Sequence, residues 1–245
     1  MTCGEVFKSK KIGDAPYFVF CDHASNYIPD DLKCLGLPDD LLDTHIAWDI
    51  GAGALATELG SLLDGTVFLC AFSRLIIDAN RDPAANDIIP AVSDQIPIPG
   101  NQMLEEAVTR ARIDRFHTPY HDGLNNALND MISNAPIPFV ISVHSFTNRL
   151  MGASDERPWP VGLLWREDEH HARAIIEYLS AETGWRIGDN QPYDAREFNY
   201  SVDRHVGPRN LPHITVEIRQ DKIGDQDGVK KIAELLAKGV RTITR

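Results

Sequence analysis

Three short apolar runs in this chain break off at, or carry, an ionisable side chain. YFVFC (17–21) is followed by Asp22 and His23, FVISV (139–143) by His144, and HITVEIR (213–219) carries Glu217 among apolar neighbours. Two imidazoles delivered by separate strands to one sheet edge could bind a metal ion, with a carboxylate or water completing the shell. A glutamate on an apolar strand is costly unless it is paired, hydrogen-bonded or set beside a cation. A water on such a metal would be a partner, and would give the carboxylate work as a general base.

A second cluster lies in RLIIDANRDP (74–83), where Leu75, Ile76 and Ile77 are bracketed by Arg74 and Arg81. On an extended chain Asp78, Asn80 and Arg81 would share one face, which would then hold a carboxylate, an amide and a bidentate cation. Plainer readings exist for each residue. A histidine at a strand end also caps a loop or meets solvent, Glu217 could pair with Arg219 or Arg204, and Arg74 could be a surface arginine. The matched placement of His23 and His144, and a second arginine seven residues after the first, favour a built site.

These residues need elements to carry them. Tyr17–Cys21, Thr66–Cys70, Leu75–Asp78, Phe139–Val143, Val161–Trp165 and Ile214–Ile218 read as strands. Ile50, Ala54, Leu55, Leu59, Leu62 and Leu63 recur with a helical period over 48–63, and Asp64-Gly65 ends that helix. Further helices are expected over 103–116, 122–133 and about 167–183. A closing amphipathic helix uses Val229, Ile232, Ala233, Leu236 and Val240. Residues 82–102 carry Pro83, Pro90, Pro97, Pro99 and Gly100 without a period, which suits a functional loop. Strands alternating with helices predict one α/β domain over 1–245, with a parallel or mixed sheet covered on both faces. In such sheets ligands bind beyond the carboxyl ends of the strands.

Composition narrows the partners. A net charge of −12 over 245 residues disfavours nucleic acid and anionic membrane surfaces, both of which need clustered Lys and Arg. With 43% hydrophobic residues a substantial core can be buried. Cys3, Cys21, Cys34 and Cys70 form no C-x-x-C pair and read as reduced thiols. No apolar signal segment opens the sequence, and no stretch approaches the roughly 18 apolar residues of a membrane helix. A cytoplasmic location is the expectation.

The order DHASN, SRLIIDANR, HSF, VEIRQD, from about Asp22 to Ile223, resembles the N-formylglutamate amidohydrolase family, itself similar to a distant branch of the zinc carboxypeptidase and aspartoacylase superfamily. The resemblance implies a three-layer α/β/α fold with a mixed, mostly parallel central sheet, of the phosphorylase/hydrolase and zinc exopeptidase type. It implies that His23 and His144 ligate Zn2+ or another divalent metal, and that Asp78 holds the first histidine through its other ring nitrogen. It also assigns Asn80 and Arg81 to a substrate carboxylate, Arg74 to the oxyanion and Glu217 to the roles of general base and acid. Carboxypeptidase-type enzymes carry a glutamate three residues after the first histidine; here that place is Asn26, a poor zinc ligand beside a carboxylate. Asp49, in HIAWDIGAG, matches an aspartate of the branch and is the candidate third ligand, although a carboxylate at a helix head also interacts with the helix dipole.

Softer candidates follow. Tyr120-His121 matches the branch's pattern, which puts His121 in the pocket. His117 and His121 lack the glutamate of HExxH, and Pro119 is expected to interrupt the helix there. His205 is expected on a loop within reach of the substrate, and Arg149 near a second carboxylate. His170-His171 reads as a solvated helix face. The implied reaction is hydrolysis of an N-acyl amino acid, most simply N-formyl-L-glutamate to glutamate and formate. Its rivals are an amidohydrolase of another N-acyl amino acid or small peptide, and a noncatalytic carboxylate-binding protein that lost the metal.

Overall fold

Nine strands and seven helices are described in a computed structural model covering residues 5–134, 137–166 and 168–244. The strands are β1 (Phe7–Lys11), β2 (Tyr17–Cys21), β3 (Thr66–Cys70), β4 (Val92–Ser93), β5 (Ile96–Pro97), β6 (Phe139–Phe146), β7 (Val161–Leu164), β8 (Gly188–Asp189) and β9 (His213–Arg219). The helices are α1 (Asp39–Leu42), α2 (Ala52–Leu63), α3 (Glu106–Arg112), α4 (Thr118–Asn134), α5 (Glu169–Thr183), α6 (Tyr200–His205) and α7 (Gln226–Ile243). Seven strands form one sheet in the order β1-β3-β2-β6-β9-β7-β8, and β4 and β5 make a separate hairpin. β3, β2, β6 and β9 run parallel; β1 opposes β3, β7 opposes β9, and β8 runs with β7.

Alternation along each strand sorts side chains onto two faces. Val19, Cys21, Ile141, Val143, Val216 and Ile218 pack one face under α2, α5 and α7. Phe18, Phe20, Phe68 and Val140 pack the other against Tyr120, Leu124 and Leu128 of α4 and the apolar run Leu75–Ile77. The result is three layers, α/β/α, around a mixed and mostly parallel sheet. Two residues beyond Val140 and four beyond it, Ser142 and His144 follow onto that second face. By the same period Thr215 and Glu217 follow His213. After β2 the chain crosses through α2 to β3 on one side, then returns to β6 on the other. The β2/β6 boundary is therefore a switch in strand order, where a crevice opens at the carboxyl ends.

Leu75–Asp78 is not a strand. The segment runs in turns, with Ile76 N–H bonded to Ser73 O, and Leu75, Ile76 and Ile77 are all fully buried. A run buried on every side has no face to lend a sheet, so its carbonyls find side chains instead. Asn101 Nδ2 donates to Leu75 O at 2.8 Å and Arg112 Nη1 to Ile76 O at 3.0 Å. The first long helix begins at Ala52 rather than Trp48, because Gly51 turns the chain with φ of +79°, and a Cβ there would meet Ile223 O. The helix expected over 103–116 starts at Glu106. Pro119 does not end it: one wide turn over Ile113–His117, closed by Thr118 N–H to Ile113 O, absorbs the missing donor, and α4 continues. Helix α5 begins at Glu169, and Glu167 lies outside the described residues, as does Cys3. Cys21 and Cys70 are buried free thiols, and Cys34 is half-buried and free. No helix among the described residues is long and apolar enough to cross a membrane.

Candidate active site

The crevice at the β2/β6 boundary is a cleft of about 110 Å³ lined by His23, Asp49, Arg74, Asn80, Arg81, His144, Ser145, Tyr193, Phe198 and Glu217. His23 arrives just past the end of β2. His144 is delivered inside β6, which runs on to Phe146, and stands in direct register with Glu217 of β9. The rings of His23 and His144 are 5.2 Å apart, centre to centre.

Asp49 joins them. Its Oδ2 accepts from His144 Nδ1 at 2.9 Å and from the Ser145 N–H at 3.2 Å, and lies 3.4 Å from His23 Nδ1. It makes no capping bond to α2, so its carboxylate serves the histidines rather than the helix end. One ligand atom from each of His23, Asp49 and His144 lies within 4.8 Å of the others, and all three residues are buried. Ligands about 2.0–2.1 Å from a tetrahedral zinc stand roughly 3.3 Å apart, so the 2.9 and 3.4 Å separations of Asp49 Oδ2 from the two histidines suit such an ion. His23 Nε2 donates to Asp78 Oδ1 at 2.7 Å, which leaves the lone pair on Nδ1, and Nδ1 is buried without a hydrogen-bond partner among the described residues. His144 Nε2 faces Asp22 Oδ2 at 3.5 Å. Exchange of the His144 Nδ1 proton for a cation would therefore leave an Nε2–H opposite a carboxylate. Both imidazoles have such a carboxylate behind them, the arrangement that fixes the tautomer of a metal-bound histidine. The donor set fits a divalent metal.

The electrostatics agree. Burial and Arg74 push the His23 pKa down, but Asp78 and Asp49 outweigh them and hold it up. Burial likewise opposes the proton on His144, and Asp22 and Asp49 hold it well above the ordinary value. Burial raises Asp49, yet the two histidines bring it far below the carboxylate range. Three buried aspartates facing two imidazoles make a pocket that demands positive charge. Glu217 behaves differently: burial raises it to about 7. Its Oε2 has no hydrogen-bond partner among the described residues, Arg219 pairs with Asp221, and Arg204 donates to Tyr200 Oη. Neither alternative arginine takes the glutamate.

Around this core the Arg74–Arg81 segment curls. Arg74 Nη2 donates to Asp78 Oδ2 at 2.6 Å, and its Nη1 is 3.6 Å from Asp49 Oδ1. Asp78 Oδ1 also accepts the Asn80 N–H at 2.9 Å, a local side-chain turn that brings Asn80 round to the cleft without a strand. Asn80 Oδ1 accepts the Ser201 N–H at 3.0 Å, which leaves its Nδ2 as the donor for a ligand. Arg81 stacks over Phe198 at 4.7 Å and pairs with exposed Asp87 at 3.1 Å.

Three expected residues are not brought into the cleft. His121 and His205 are buried beneath it, bonded to each other at 2.9 Å. Arg149 is exposed and pairs with Glu156. Asn26 turns away and donates to Leu42 O and Asp43 Oδ1. His171 is more than a solvated face, since its Nδ1 bonds Asp168, while His170 is exposed. Sequence reasoning gave no role to Asp22, Ser145, Tyr193 or Phe198. Asp22 had a signal, a charge directly after four buried strand residues, and its Oδ1 also accepts from Tyr120 Oη and Ser201 Oγ, each at 2.7 Å. Tyr193, whose hydroxyl accepts from Arg157 Nη1 at 3.1 Å, and Phe198 come from an irregular loop with no periodic mark.

Comparison with known proteins gives the context. A crystal structure of a gene product from Agrobacterium tumefaciens is 29% identical, with a TM-score of 0.92 over 99% of this chain and 98% of that one. The N-formylglutamate amidohydrolase of Ralstonia eutropha shares the fold at 20% identity, with a TM-score of 0.67 over 97% of this chain and 96% of that one. No curated protein matches. The profile of the N-formylglutamate amidohydrolase family matches residues 15–224, which span every residue of the cleft, and the chain belongs to that family of amide-hydrolysing enzymes.

Proposed function

We propose that this protein hydrolyses N-formyl-L-glutamate to L-glutamate and formate at the His23–Asp49–His144 centre. The observation that carries the reading is Glu217: a buried carboxylate in register with His144, unpartnered at Oε2 and raised to about 7. A base poised near neutral pH beside a candidate metal centre is suited to activating water. A divalent ion held by His23, Asp49 and His144, most simply Zn2+, would acidify a water and polarise the scissile carbonyl. Glu217 takes the proton from the attacking water and later gives it to the leaving amine nitrogen. Arg74, fixed by Asp78 and Asp49, supplies positive charge for the oxyanion that forms. Asn80 Nδ2 and the Arg81 guanidinium hold the α-carboxylate of the substrate, which sets the acyl carbon against the water.

The test is Glu217→Gln. The variant should fold normally by circular dichroism and release formate about 10³-fold more slowly, the scale of lost acid–base catalysis. Near-normal turnover would remove Glu217 from the role. Metal analysis of protein purified without chelator should give about one ion per chain, as a single mononuclear centre requires. A metal-free protein that binds N-acyl amino acids without turning them over would be a receptor instead. A panel of formyl, acetyl and longer acyl amino acids decides the acyl group.

A further inference from the structure

The cleft does not use His117, His121 or His205, yet all three are buried, and burying an imidazole without purpose is costly. They form a ladder. The rings of His117 and His121, one helical turn apart, are 4.3 Å apart, and His205 meets His121 edge to edge in nearly the same plane, with ring centres 5.1 Å apart. The acceptors are informative. His117 Nε2 bonds Arg81 O at 3.0 Å, and His121 Nε2 bonds Ala79 O at 2.9 Å. A carbonyl oxygen only accepts, so both Nε2 atoms carry hydrogen. In the neutral ring His121 Nδ1 is then an acceptor, and His205 Nε2 donates to it at 2.9 Å.

These two carbonyls flank Asn80. The segment that presents Asn80 and Arg81 is not in the sheet, so no strand holds its backbone. Its other holds are mostly local: Asp78 Oδ1 on the Asn80 N–H, Arg81 Nη1 on Asn80 O, Ser201 N–H on Asn80 Oδ1 with Ser201 Oγ 3.5 Å from Ala79 O, and Asp87 and Phe198 on Arg81. We propose that His117 and His121 are positioning residues, whose Nε2–H groups pin the Arg81 and Ala79 carbonyls and so set where the Asn80 amide and Arg81 guanidinium meet a substrate carboxylate. This rests on the reading of Asn80 and Arg81 as the carboxylate clamp. His205 completes the device by holding His121 in the one tautomer that donates to Ala79. The wide turn over Ile113–His117 has a part as well. It carries the helix past Pro119, so that His117 and His121 present their donors to carbonyls two residues apart.

The experiment compares His117→Leu and His121→Leu with His117→Gln and His121→Gln, in which the glutamine amide can restore an N–H. Kinetics use N-formyl-L-glutamate and its α-carboxamide analogue, and calorimetry measures binding of L-glutamate to the metal-loaded protein. Each leucine variant should raise KM for the acid, and the Kd of glutamate, about 10-fold, the worth of one buried hydrogen bond. Its kcat should stay close to wild type, and KM for the carboxamide should not move. Each glutamine variant should recover most of the loss. Unchanged KM and Kd, or an equal fall of kcat on both substrates, would make the histidines mere packing. Should His121→Leu fail to fold, His117→Leu, which acts on the other carbonyl, still decides. A wild type that binds glutamate but hydrolyses nothing defeats the amidohydrolase reading, while the ratio of Kd values still judges the clamp. A wild type that does not bind the amino acid at all sinks both.

Discussion

Asp22 shows how much a single carboxylate carries at this site. One oxygen accepts from Tyr120 and Ser201, and the other faces His144 Nε2. Burial pushes its pKa up, but bonds and charge from His144 prevail and keep it ionised. Asp22→Asn keeps the shape and removes the charge behind the histidine. We expect metal affinity to fall about 10–100-fold, measured by competition with a chromogenic chelator, because the ligand's orientation and basicity both depend on that partner. An unchanged affinity would leave Asp22 a purely structural hub. His23, His144 and Glu217 were legible from sequence as candidates because each follows or interrupts an apolar run, where a polar side chain needs a reason. Asp49 was singled out only through the family pattern, since His23, Arg74 and His144 reach it from separate segments and leave no local mark in the sequence. Tyr193 and Phe198 were invisible, being ordinary aromatics on a loop whose path only the folded chain defines.

At the scale of elements, Leu75–Asp78 reads as a strand in sequence and runs in turns outside the sheet. Leu75, Ile76 and Ile77 are as apolar as any strand here, and composition alone does not separate a buried turn from a buried strand. The missing information lay elsewhere, in Asn101 and Arg112. Arg112 Nη1 donates to Ile76 O and to Asn101 Oδ1, and its Nη2 to Gly100 O. It is a buried cation used as a backbone brace, in the place of a neighbouring strand. Arg112→Met fills similar volume but strands three acceptors. We expect a loss of about 3 kcal/mol in urea unfolding, with m unchanged, since unsatisfied buried groups cost about 1–3 kcal/mol each and part is recovered by not burying a charge. A neutral substitution would mean that water reaches those carbonyls.

For the whole molecule, the alternation of strands and helices made a parallel or mixed sheet covered on both faces readable, while edge strands β1 and β8 were not, since exposed FKSKK and a two-residue pair carry no apolar signature. Stability as a whole should depend on pH through the buried histidines. Burial holds His205 down to about 4 and His121 to about 2, against 6.5 in the unfolded chain. Between those values the unfolded chain binds more protons. The pair's contribution is therefore complete above pH 6.5 and is lost as pH falls towards 4. His23 and His144 act in the opposite sense when no metal is bound. The contribution of the pair is isolated by comparing wild type with the double variant His121→Gln/His205→Gln. Wild type should lose stability on acidification more steeply, by about 1.4 kcal/mol per pH unit for each imidazole, in denaturant titrations from pH 7 to 4. Parallel curves would mean that the rings are solvated.

The His144–Glu217 register has a thermal corollary. Candidate base and candidate ligand sit on adjacent central strands, so their spacing is as durable as the hydrogen-bonded ladder between them, whereas Asn80 and Arg81 ride on turns. Warming should first erode the hold on substrate, seen as a climbing KM below the melting point. The rate at saturation should persist until the ladder itself comes apart.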